Sequence, residues 1–400
     1  MISQRHLFLQ HQAQTSPFPL MLEIVKAEGV FMYDLLGKRY MDLISGISVS
    51  NVGHCHPAVV SAIQEQASKY MHLMVYGEYI QSPQVQLSKA LADILPKELN
   101  CTYLVNSGAE AIEGAMKLAK RYTGKTEFIS FRNAYHGSTQ GALSIMGDEQ
   151  FKNAYRPLLP HTRILDYNDF ESIELIGSNT AAVFVEMIQG EAGALNPLPG
   201  FIFALRKKCY EVGALLIADE IQTGFGRTGK MFAFEHFNIV PDVITVAKGM
   251  GGGMPIGAFI SSTALMKSLT ENPILGHLTT FGGNAVCCAA ALASLRVIQN
   301  EKLLDSVAEK ELIFRENLVH HRIKKIYGLG LLLAIEFESS AFNFAVIALC
   351  MQKGLVTDWF LFSSHKMRIA PPLQITEEQI LWACQVILEC IQLVDASNSF

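Results

Sequence analysis

Lys248 has the clearest chemical potential of any residue in the chain, because it stands between an apolar run and a group of glycines in VITVAKGMGGGMPIGAF, residues 243–259. Such a run is typical of a buried strand, so we expect the lysine at a strand end. Burial lowers the pKa of an amine, and the neutral amine attacks carbonyl carbons. The glycines let backbone approach a bound molecule. We predict a reactive lysine, although a single lysine can also extend its ammonium to solvent.

Asp219 follows five apolar residues, 214–218, in the segment ALLIADEIQTGFGRTG. A carboxylate at the end of a buried strand needs a partner, because an unpaired buried charge is costly. Two interpretations stay open. Asp219 is either the N-cap of a helix that begins there, or the partner of a cationic group on a ligand. In the second case Gln222 would add a neutral hydrogen bond to the same ligand.

Ser107 and Glu110 have the spacing of a capping box in NSGAEAIEGAMKLAK, which predicts that a strand ends at Val105 and a helix begins just after it. The free backbone N–H groups near Gly108 and Ala109 then form a site where a phosphate is favoured by the helix dipole. Many capped helices bind nothing, so this motif alone leaves the phosphate site open.

The segments around these residues predict an α/β fold. Apolar, β-rich runs at 181–187, 214–220 and 242–248 alternate with helical patterns such as 111–124. This alternation favours a mostly parallel sheet flanked by helices. We expect a large cofactor-binding domain from residues 51–284, and a smaller α+β domain built from both chain ends, 1–50 and 285–400. The smaller domain contains the turn LLGKRY and the strand LLLAIEFE.

Three chemical groups would therefore meet at the carboxyl ends of neighbouring strands, where open α/β sheets bind ligands. They are a lysine, an aspartate and a helix N-terminus. Together they match the needs of pyridoxal 5′-phosphate (PLP). A lysine binds its aldehyde, an aspartate keeps its ring nitrogen protonated, and a helix receives its phosphate.

Composition limits the partners. The chain has 400 residues, half of them hydrophobic, and a formal net charge of -5. No basic field is available for nucleic acid or an anionic membrane surface. The stretches around 328–335 and 345–351 are too short to span a membrane, and the N-terminus has no secretory pattern, so we expect a cytoplasmic protein. The eight cysteines form no Cys-x-x-Cys pair, which favours reduced, structural thiols.

Seven ordered motifs together resemble the class-III (ω-) aminotransferase family, which includes acetylornithine, ornithine and 4-aminobutyrate aminotransferases. They are NSGAEA, AYHGS, EMIQGEAG, ADEIQTGFGRTG, TVAKGMGGGMPIGAF, TTFGGN and RIAPPL. The segment YDLLGKRYMDLISGISVSNVGHCHPAVVSAI is similar to the family's entry segment, so the resemblance runs from about Val30 to Leu373. It implies the fold-type-I architecture and a homodimer that shares its active sites.

The resemblance also implies roles for individual residues around PLP. Lys248 would bind the aldehyde and then move the proton, while Asp219 would pair with the ring nitrogen. The other positions are Gln222 at the phenolic oxygen, Tyr135 stacked on the ring, His136 close by, Glu186 beside the ring, Ser107, Gly108 and Ala109 at the phosphate, and Thr280 reaching the phosphate from the neighbouring subunit. Here Met187 follows Glu186 where the family usually has proline.

Substrate recognition is implied by Glu191, which matches a glutamate that pairs with a small-domain arginine, here Arg368. While Glu191 and Arg368 are paired, a donor that presents a terminal amine needs no carboxylate partner at Arg368. With the pair open, Arg368 can bind the α-carboxylate of 2-oxoglutarate. A plain interdomain ion pair is the alternative.

Two departures from the family concern the amine donor. Ser138 stands where ornithine and acetylornithine enzymes usually have an arginine, and Ile47 stands where ornithine enzymes have a tyrosine. An ω-amino acid, a diamine or lysine therefore stay open as donors. His54 and His56 have His-x-His spacing, but no carboxylate or cysteine pattern accompanies them, so a turn beside the site is favoured over a metal site.

The resulting expectation is ping-pong transamination from an amine to an oxo acid. Related folds also use a lysine–aspartate pair in aminomutases, racemases and decarboxylases, and these reactions remain alternatives. A PLP-binding regulator without turnover is a remote one, since no basic DNA-binding module is apparent.

Overall fold

The computed structural model describes residues 3–397, which form one large and two small β-sheets with helices packed around them. The strands are β1 Ile24–Glu28, β2 Phe31–Asp34, β3 Arg39–Asp42, β4 Cys101–Val105, β5 Glu127–Phe131, β6 Thr162–Leu165, β7 Thr180–Glu186, β8 Leu215–Asp219, β9 Val243–Val246, β10 Gly257–Ser261, β11 Lys325–Leu329, β12 Leu332–Glu336, β13 Leu355–Val356, β14 Trp359–Phe360 and β15 Ser363–Ile369.

The helices enclose these sheets. They are α1 Gln4–His11, α2 Ser45–Ser48, α3 Pro57–Lys69, α4 Ser82–Ile94, α5 Gly108–Thr123, α6 Gln140–Ser144, α7 Phe170–Ile173, α8 Phe201–Val212, α9 Thr263–Met266, α10 Ala285–Asn300, α11 Val307–Asn317, α12 Ser340–Gln352 and α13 Glu377–Ser397. Short 3₁₀ helices occupy Asn153–Tyr155, Ala233–Phe237, Lys248–Gly251, Lys267–Leu269 and Leu303–Ser306.

The large sheet has seven strands in the order β4-β10-β9-β8-β7-β5-β6. Only β10 runs against its neighbours, so the predicted mostly parallel α/β sheet is confirmed. Every residue of β7 and β8 is buried, as expected for strands covered on both faces. The apolar runs predicted as strands correspond to β7, β8 and β9, and the predicted helix corresponds to α5.

The two small sheets have the orders β1-β2-β3-β13 and β11-β12-β15-β14. Strand β13 pairs in parallel with β3, with Leu355 opposite Met41, so the C-terminal part of the chain completes a sheet begun by the N-terminal part. This pairing is compatible with a small domain made from both chain ends, although the division into domains stays a prediction. Residues 1–2 and 398–400 of that domain lie outside the described range.

Helix α13 is one feature that the sequence analysis did not identify. It is the one helix among the described residues that is long and apolar enough, by length and composition alone, to cross a membrane. However, it packs against α11 and α12, and a stripe of its residues is buried: Ile380, Ala383, Cys384, Ile387, Cys390 and Ile391. The stripe has helical spacing, so its apolar residues belong to the protein core.

The eight cysteines lie within the described residues, and none of them forms a disulfide there. Six of them are buried, at positions 209, 287, 288, 350, 384 and 390. They pack as small apolar side chains, which is common for free cysteine.

Gly257, the first residue of β10, allows this strand to pass close to the start of α5. A Cβ atom here would lie 2.4 Å from the carbonyl oxygen of Ser107 and 3.2 Å from that of Val246. Because both obstacles are backbone, we expect Gly257→Ala to lower the free energy of unfolding by about 1–3 kcal/mol, measured by urea unfolding.

Gly177→Ala is the matched control, because a Cβ atom at Gly177 meets nothing within 4 Å. We expect it to change the free energy of unfolding by less than about 0.5 kcal/mol. Equal losses in the two variants would contradict this account of Gly257.

Candidate active site

A cleft of about 460 Å³ lies at the carboxyl ends of the central strands. It is lined by Val49, Asn106, Ser107, Gly108, Ala109, Tyr135, His136, Gly137, Ser138, Glu186, Asp219, Ile221, Gln222, Ala247, Lys248, Gly253, Met254, Pro255 and Ile256. Ten of the residues singled out in the sequence are in this set: positions 107, 108, 109, 135, 136, 138, 186, 219, 222 and 248. The structure therefore brings together residues that are up to 141 positions apart (248 − 107).

Lys248 follows β9 by two residues and begins a 3₁₀ helix. Its backbone is in the left-handed region, with φ 45°, which is uncommon for a residue with a side chain. Within residues 3–397 its amine forms no hydrogen bond or ion pair. Burial lowers the pKa of Lys248, although the charge of Glu191 opposes that effect. The arrangement therefore favours the neutral, nucleophilic amine.

Asp219 ends β8 and is almost fully buried. One carboxylate oxygen, Oδ2, lies 2.7 Å from Nδ1 of the buried His136, and the other accepts a hydrogen bond from the backbone N–H of Ile221 at 3.0 Å. Turns rather than a helix follow, so the interpretation of Asp219 as a helix N-cap is wrong. The histidine fixes the carboxylate at the base of the cleft.

Ser107 caps α5, as predicted, by accepting a hydrogen bond from the backbone N–H of Glu110 at 3.2 Å. The reciprocal contact differs from a standard capping box. The carboxylate of Glu110 accepts from the backbone N–H of Asn106, not from that of Ser107, at 2.8 Å. The first N–H groups of α5, including those of Gly108 and Ala109, have no acceptor within the helix and lie at the cleft. They are suited to binding an anion.

Glu186 ends β7 beside Asp219. Its carboxylate accepts hydrogen bonds from the backbone N–H groups of Gly190 at 3.1 Å and Tyr135 at 3.3 Å. Burial raises the pKa of Glu186 well above its ordinary value, and the nearby charge of Asp219 raises it further. Two carboxyl groups so close together favour a protonated Glu186 until a positive group enters the cleft.

Gln222 projects its side-chain amide into the cleft, and its buried Nε2 has no hydrogen-bond partner within residues 3–397. A Cβ atom at Gly190 would lie 1.7 Å from Oε1 of Gln222, so this glycine makes room for the amide. Elsewhere in the lining of the cleft, the hydroxyl of Tyr135 lies 3.1 Å from that of Ser138. An unpartnered buried amide indicates that a ligand completes its hydrogen bonding.

Arg368 and Glu191 form a buried pair outside the set that lines the cleft. Nη1 and Nη2 of the arginine each donate to a carboxylate oxygen of Glu191 at 3.1 Å. Burial opposes the charge of Glu191, but Arg368 outweighs it and lowers the pKa of Glu191. Burial likewise acts to lower the pKa of Arg368, and its carboxylate partners reverse this and raise it. The predicted pair is present and closed.

Thr280 and Ile47 do not line the cleft within this chain. The hydroxyl of Thr280 lies 3.3 Å from that of Tyr76. Ile47 lies in the strained α2, with φ 65°, while Val49 from the same segment contacts the cleft. Their predicted roles at the phosphate and the donor stay predictions.

The two histidines of GHCHP have separate partners. Nε2 of His54 lies 2.8 Å from Asp42, and Nε2 of His56 lies 3.0 Å from Glu301. His54 also joins a bridge between the turn and Gly29. The two imidazoles therefore hold the segment in place through different carboxylates.

Asp358 is a site residue that the sequence analysis missed. Its carboxylate accepts a hydrogen bond from Nε of Arg368 at 2.7 Å. Burial raises the pKa of Asp358, and Arg368 offsets this only in part. Asp358 lies two residues after β13 and ten before Arg368, and no local pattern marks it, because the contact forms only when β14 and β15 pair.

The chain is similar to known proteins over most of its length. Residues 12–391 match the model of the family described as aminotransferase class-III. The chain is 38% identical over 367 residues to the acetylornithine aminotransferase of Archaeoglobus fulgidus, with 91% of this chain and 94% of the relative covered. It is 40% identical over 367 residues to that of Methanosarcina mazei, covering 90% and 89%.

Solved structures are similar over nearly the whole chain. The ornithine aminotransferase of Toxoplasma gondii, reported with partial occupancy of PLP at its active site, superposes with a TM-score of 0.93 at 30% identity, covering 100% of this chain and 96% of its own. The adenosylmethionine-8-amino-7-oxononanoate aminotransferase of Methanocaldococcus jannaschii has a TM-score of 0.88 at 30% identity, covering 94% and 93%.

The unpartnered amine of Lys248 leads to a stability prediction. We expect Lys248→Met, in protein freed of ligands, to change the free energy of unfolding by less than about 0.5 kcal/mol, because no hydrogen bond is lost and a partly buried polar group is removed. Urea unfolding of the variant and the parent measures this difference.

Lys152→Met is the matched control. Lys152 is buried, and its Nζ donates to the carbonyl oxygen of Met146 at 2.8 Å and pairs with Glu149 at 3.2 Å. We expect a loss of about 1–3 kcal/mol, since this variant leaves a buried carbonyl without its donor. A loss of the same size for Lys248→Met would show that Lys248 is structurally required.

Proposed function

The chain belongs to the class-III aminotransferase family, and we propose that it transfers the terminal amine of an ω-amino acid or diamine to an oxo acid such as 2-oxoglutarate. As a member of this family it is a PLP-dependent transaminase with an amine donor and an oxo-acid acceptor. The observation that carries the proposal is the meeting of Lys248, Asp219 and the start of α5 in one cleft.

The residues of the cleft fit PLP. The amine without a partner suits the aldehyde of PLP, and the buried carboxylate suits its ring nitrogen. The free helix N–H groups suit the phosphate, and the unpartnered amide of Gln222 suits the phenolic oxygen. When bound, PLP supplies an electron sink that stabilises the negative charge left when a C–H proton departs. The positive ring nitrogen would also relieve the crowding of Glu186 and Asp219.

Lys248 has two roles in this proposal. Its neutral amine would hold the aldehyde of PLP. Once free, Nζ would accept a proton from one carbon and return it to another. The lowered pKa of Lys248 supports both roles, because a protonated amine can neither attack nor accept a proton. Asp219 would keep the ring nitrogen protonated, and its contact with His136 keeps the carboxylate in position.

The remaining contacts orient the cofactor. We assign the phosphate to the N–H groups and hydroxyl at Ser107, Gly108 and Ala109, where the helix dipole favours an anion. Tyr135 would stack on one face of the ring with His136 close by, and Gln222 would donate its unpartnered N–H to the phenolic oxygen. Glu186 would lie beside the ring.

Glu191 and Arg368 allow two different substrates to use one site. While the pair is closed, Glu191 occupies both Nη groups of Arg368. A donor then enters with its terminal amine, and Arg368 binds no carboxylate of the donor. When Glu191 moves aside, the same two groups can bind the carboxylate beside the ketone of an oxo acid in a two-point contact.

The donor's identity depends on the outer cleft. Lys248 is the one lysine or arginine among the described residues lining it, and Ser138 offers only a hydroxyl. A carboxylate on the donor would therefore find no cation at Ser138. We infer donors of the acetylornithine, ornithine, lysine or 4-aminobutyrate type, recognised near Ser138 and Ile47 through hydrogen bonds and shape.

We also propose a cytoplasmic homodimer with shared active sites, in which Thr280 reaches the phosphate bound by the partner subunit. Its large domain would comprise residues 51–284, and its small domain 1–50 and 285–400. The exposed position of Phe281, next to Thr280, supports a contact surface at this segment. A racemase, aminomutase or decarboxylase would need no oxo acid, and a regulator would bind PLP without consuming an amine.

Visible absorption tests the reaction and identifies the donor. We expect a band from bound PLP that disappears when an ω-amine that serves as donor is added, because the amino group is transferred to the cofactor and the donor departs as an aldehyde or ketone. The band should return when 2-oxoglutarate takes the amino group from the cofactor. A panel of ω-amino acids and diamines supplies the candidates. Lys248→Ala is the control and should not complete the cycle. A band that no amine changes would contradict transamination.

Complementation tests the shared site. Mixed dimers of one Lys248→Ala subunit and one Thr280→Ala subunit, purified with two different tags, contain one site in which both residues are intact. At a PLP concentration near the Kd of the unmutated dimer, we expect about half of that dimer's activity, whereas Lys248→Ala dimers are inactive and Thr280→Ala dimers, which bind PLP about tenfold more weakly, are mostly empty. A mixed dimer that is no more active than the mean of the Lys248→Ala and Thr280→Ala dimers would refute a shared active site.

A further inference from the structure

Arg368 is held by two carboxylates that approach it from different directions. Glu191 contacts Nη1 and Nη2, both at 3.1 Å, while Asp358 contacts Nε at 2.7 Å. The arginine side chain is 2% exposed, so neither carboxylate is a surface partner of a mobile cation. The role proposed above for the pair uses Glu191 alone and leaves Asp358 without a function.

The contacts on the Asp358 side do not depend on Glu191. The carbonyl oxygen of Trp359 accepts from Nη2 of Arg368 at 3.3 Å, and the ring of Phe360 lies 4.2 Å from the guanidinium carbon. The backbone N–H of Arg368 donates to the carbonyl oxygen of Asp358 at 2.9 Å. When Glu191 departs, these anchors keep the two Nη groups directed at the position it leaves.

Glu191 can move without losing its own place in the chain. Its backbone oxygen accepts from the N–H of Phe362 at 3.1 Å, and its Oε2 accepts from the N–H of Leu361 at 3.0 Å. The segment of Glu191 is therefore tied to the strand region that carries Asp358. Rotation of the Glu191 side chain away from Arg368 would break the bond of Oε2 to Leu361, while the backbone bond to Phe362 would stay.

We propose that Asp358 is a positioning residue, which keeps the guanidinium of Arg368 oriented while Glu191 is replaced by the carboxylate of an oxo acid. This inference rests on the proposed function. The exchange keeps the number of charges around Arg368 constant, since one carboxylate replaces another while Asp358 stays. Without Asp358, a free Arg368 would lose its Nε partner as well as Glu191, and part of the binding energy would be used to order it.

The test compares Asp358→Ala and Asp358→Asn with the parent holoenzyme. We expect Asp358→Ala to raise the KM for 2-oxoglutarate about tenfold, the size of one charge-assisted hydrogen bond, with kcat and the KM for the donor changed less than about twofold. Asp358→Asn should raise this KM less, because its amide oxygen still accepts from Nε. Calorimetry with glutarate, a dicarboxylate without the ketone, should show weaker binding in the same order.

Asp242→Ala is the matched control for a general loss of stability. Asp242 lies just before β9, at the amino end of that strand and so away from the cleft, and pairs with Arg206 at 2.6 Å. Its side chain is 29% exposed, against 20% for Asp358. We expect it to leave both KM values and glutarate binding unchanged. If Asp358→Ala alters both KM values equally, or no more than Asp242→Ala does, Asp358 is merely structural and the inference is overturned.

Failure of the proposed function is distinguishable from failure of this inference. A parent enzyme that transfers no amine to 2-oxoglutarate but binds glutarate in an Asp358-dependent way would refute the proposed function and support the positioning role. Glutarate binding that is indifferent to Asp358 would overturn the positioning role whatever the turnover.

Discussion

The register of three parallel strands is the constraint on which the site depends. Glu186 lies opposite Asp219 across β7 and β8, and Asp219 lies opposite Thr245 across β8 and β9. Lys248 follows three residues after Thr245. Because all three strands are buried on both faces, a slip of one residue would move each side chain to the opposite buried face and disrupt the packing there. The core therefore fixes the relative positions of the carboxylates and the lysine.

This arrangement places two buried carboxyl groups at the cleft. Glu186 and Asp219 are neighbours across β7 and β8. Burial and the charge of Asp219 raise the pKa of Glu186, while burial lowers the pKa of Lys248. His136 relieves one carboxylate and backbone N–H groups relieve the other. The cleft is consequently complementary to a ligand with a positively charged ring and a negatively charged substituent, and the start of α5 is suited to binding that substituent.

The sequence was sufficient to predict the parts that depend on local patterns. Apolar runs identified β7, β8 and β9, and Ser107 identified the start of α5. The bond between His136 and Asp219 could not be predicted, because it joins residues 83 positions apart. Asp358 was missed for another reason. Its contact with Arg368 depends on an antiparallel hairpin whose register shifts between Trp359 and Phe360, and no local spacing encodes such a shift.

The pairing of β13 with β3 has a consequence for synthesis of the chain on the ribosome. Met41 and Leu355 must meet, although 314 positions separate them (355 − 41). Until the second of these strands emerges, β3 presents an unpaired edge that is open to strands of other molecules. Closure of this sheet is thus a late event that requires nearly the whole chain. A chain that stops before residue 355 would contain every strand of the central sheet but lack β13. It would expose the unpaired edge of β3, to which chaperones could bind.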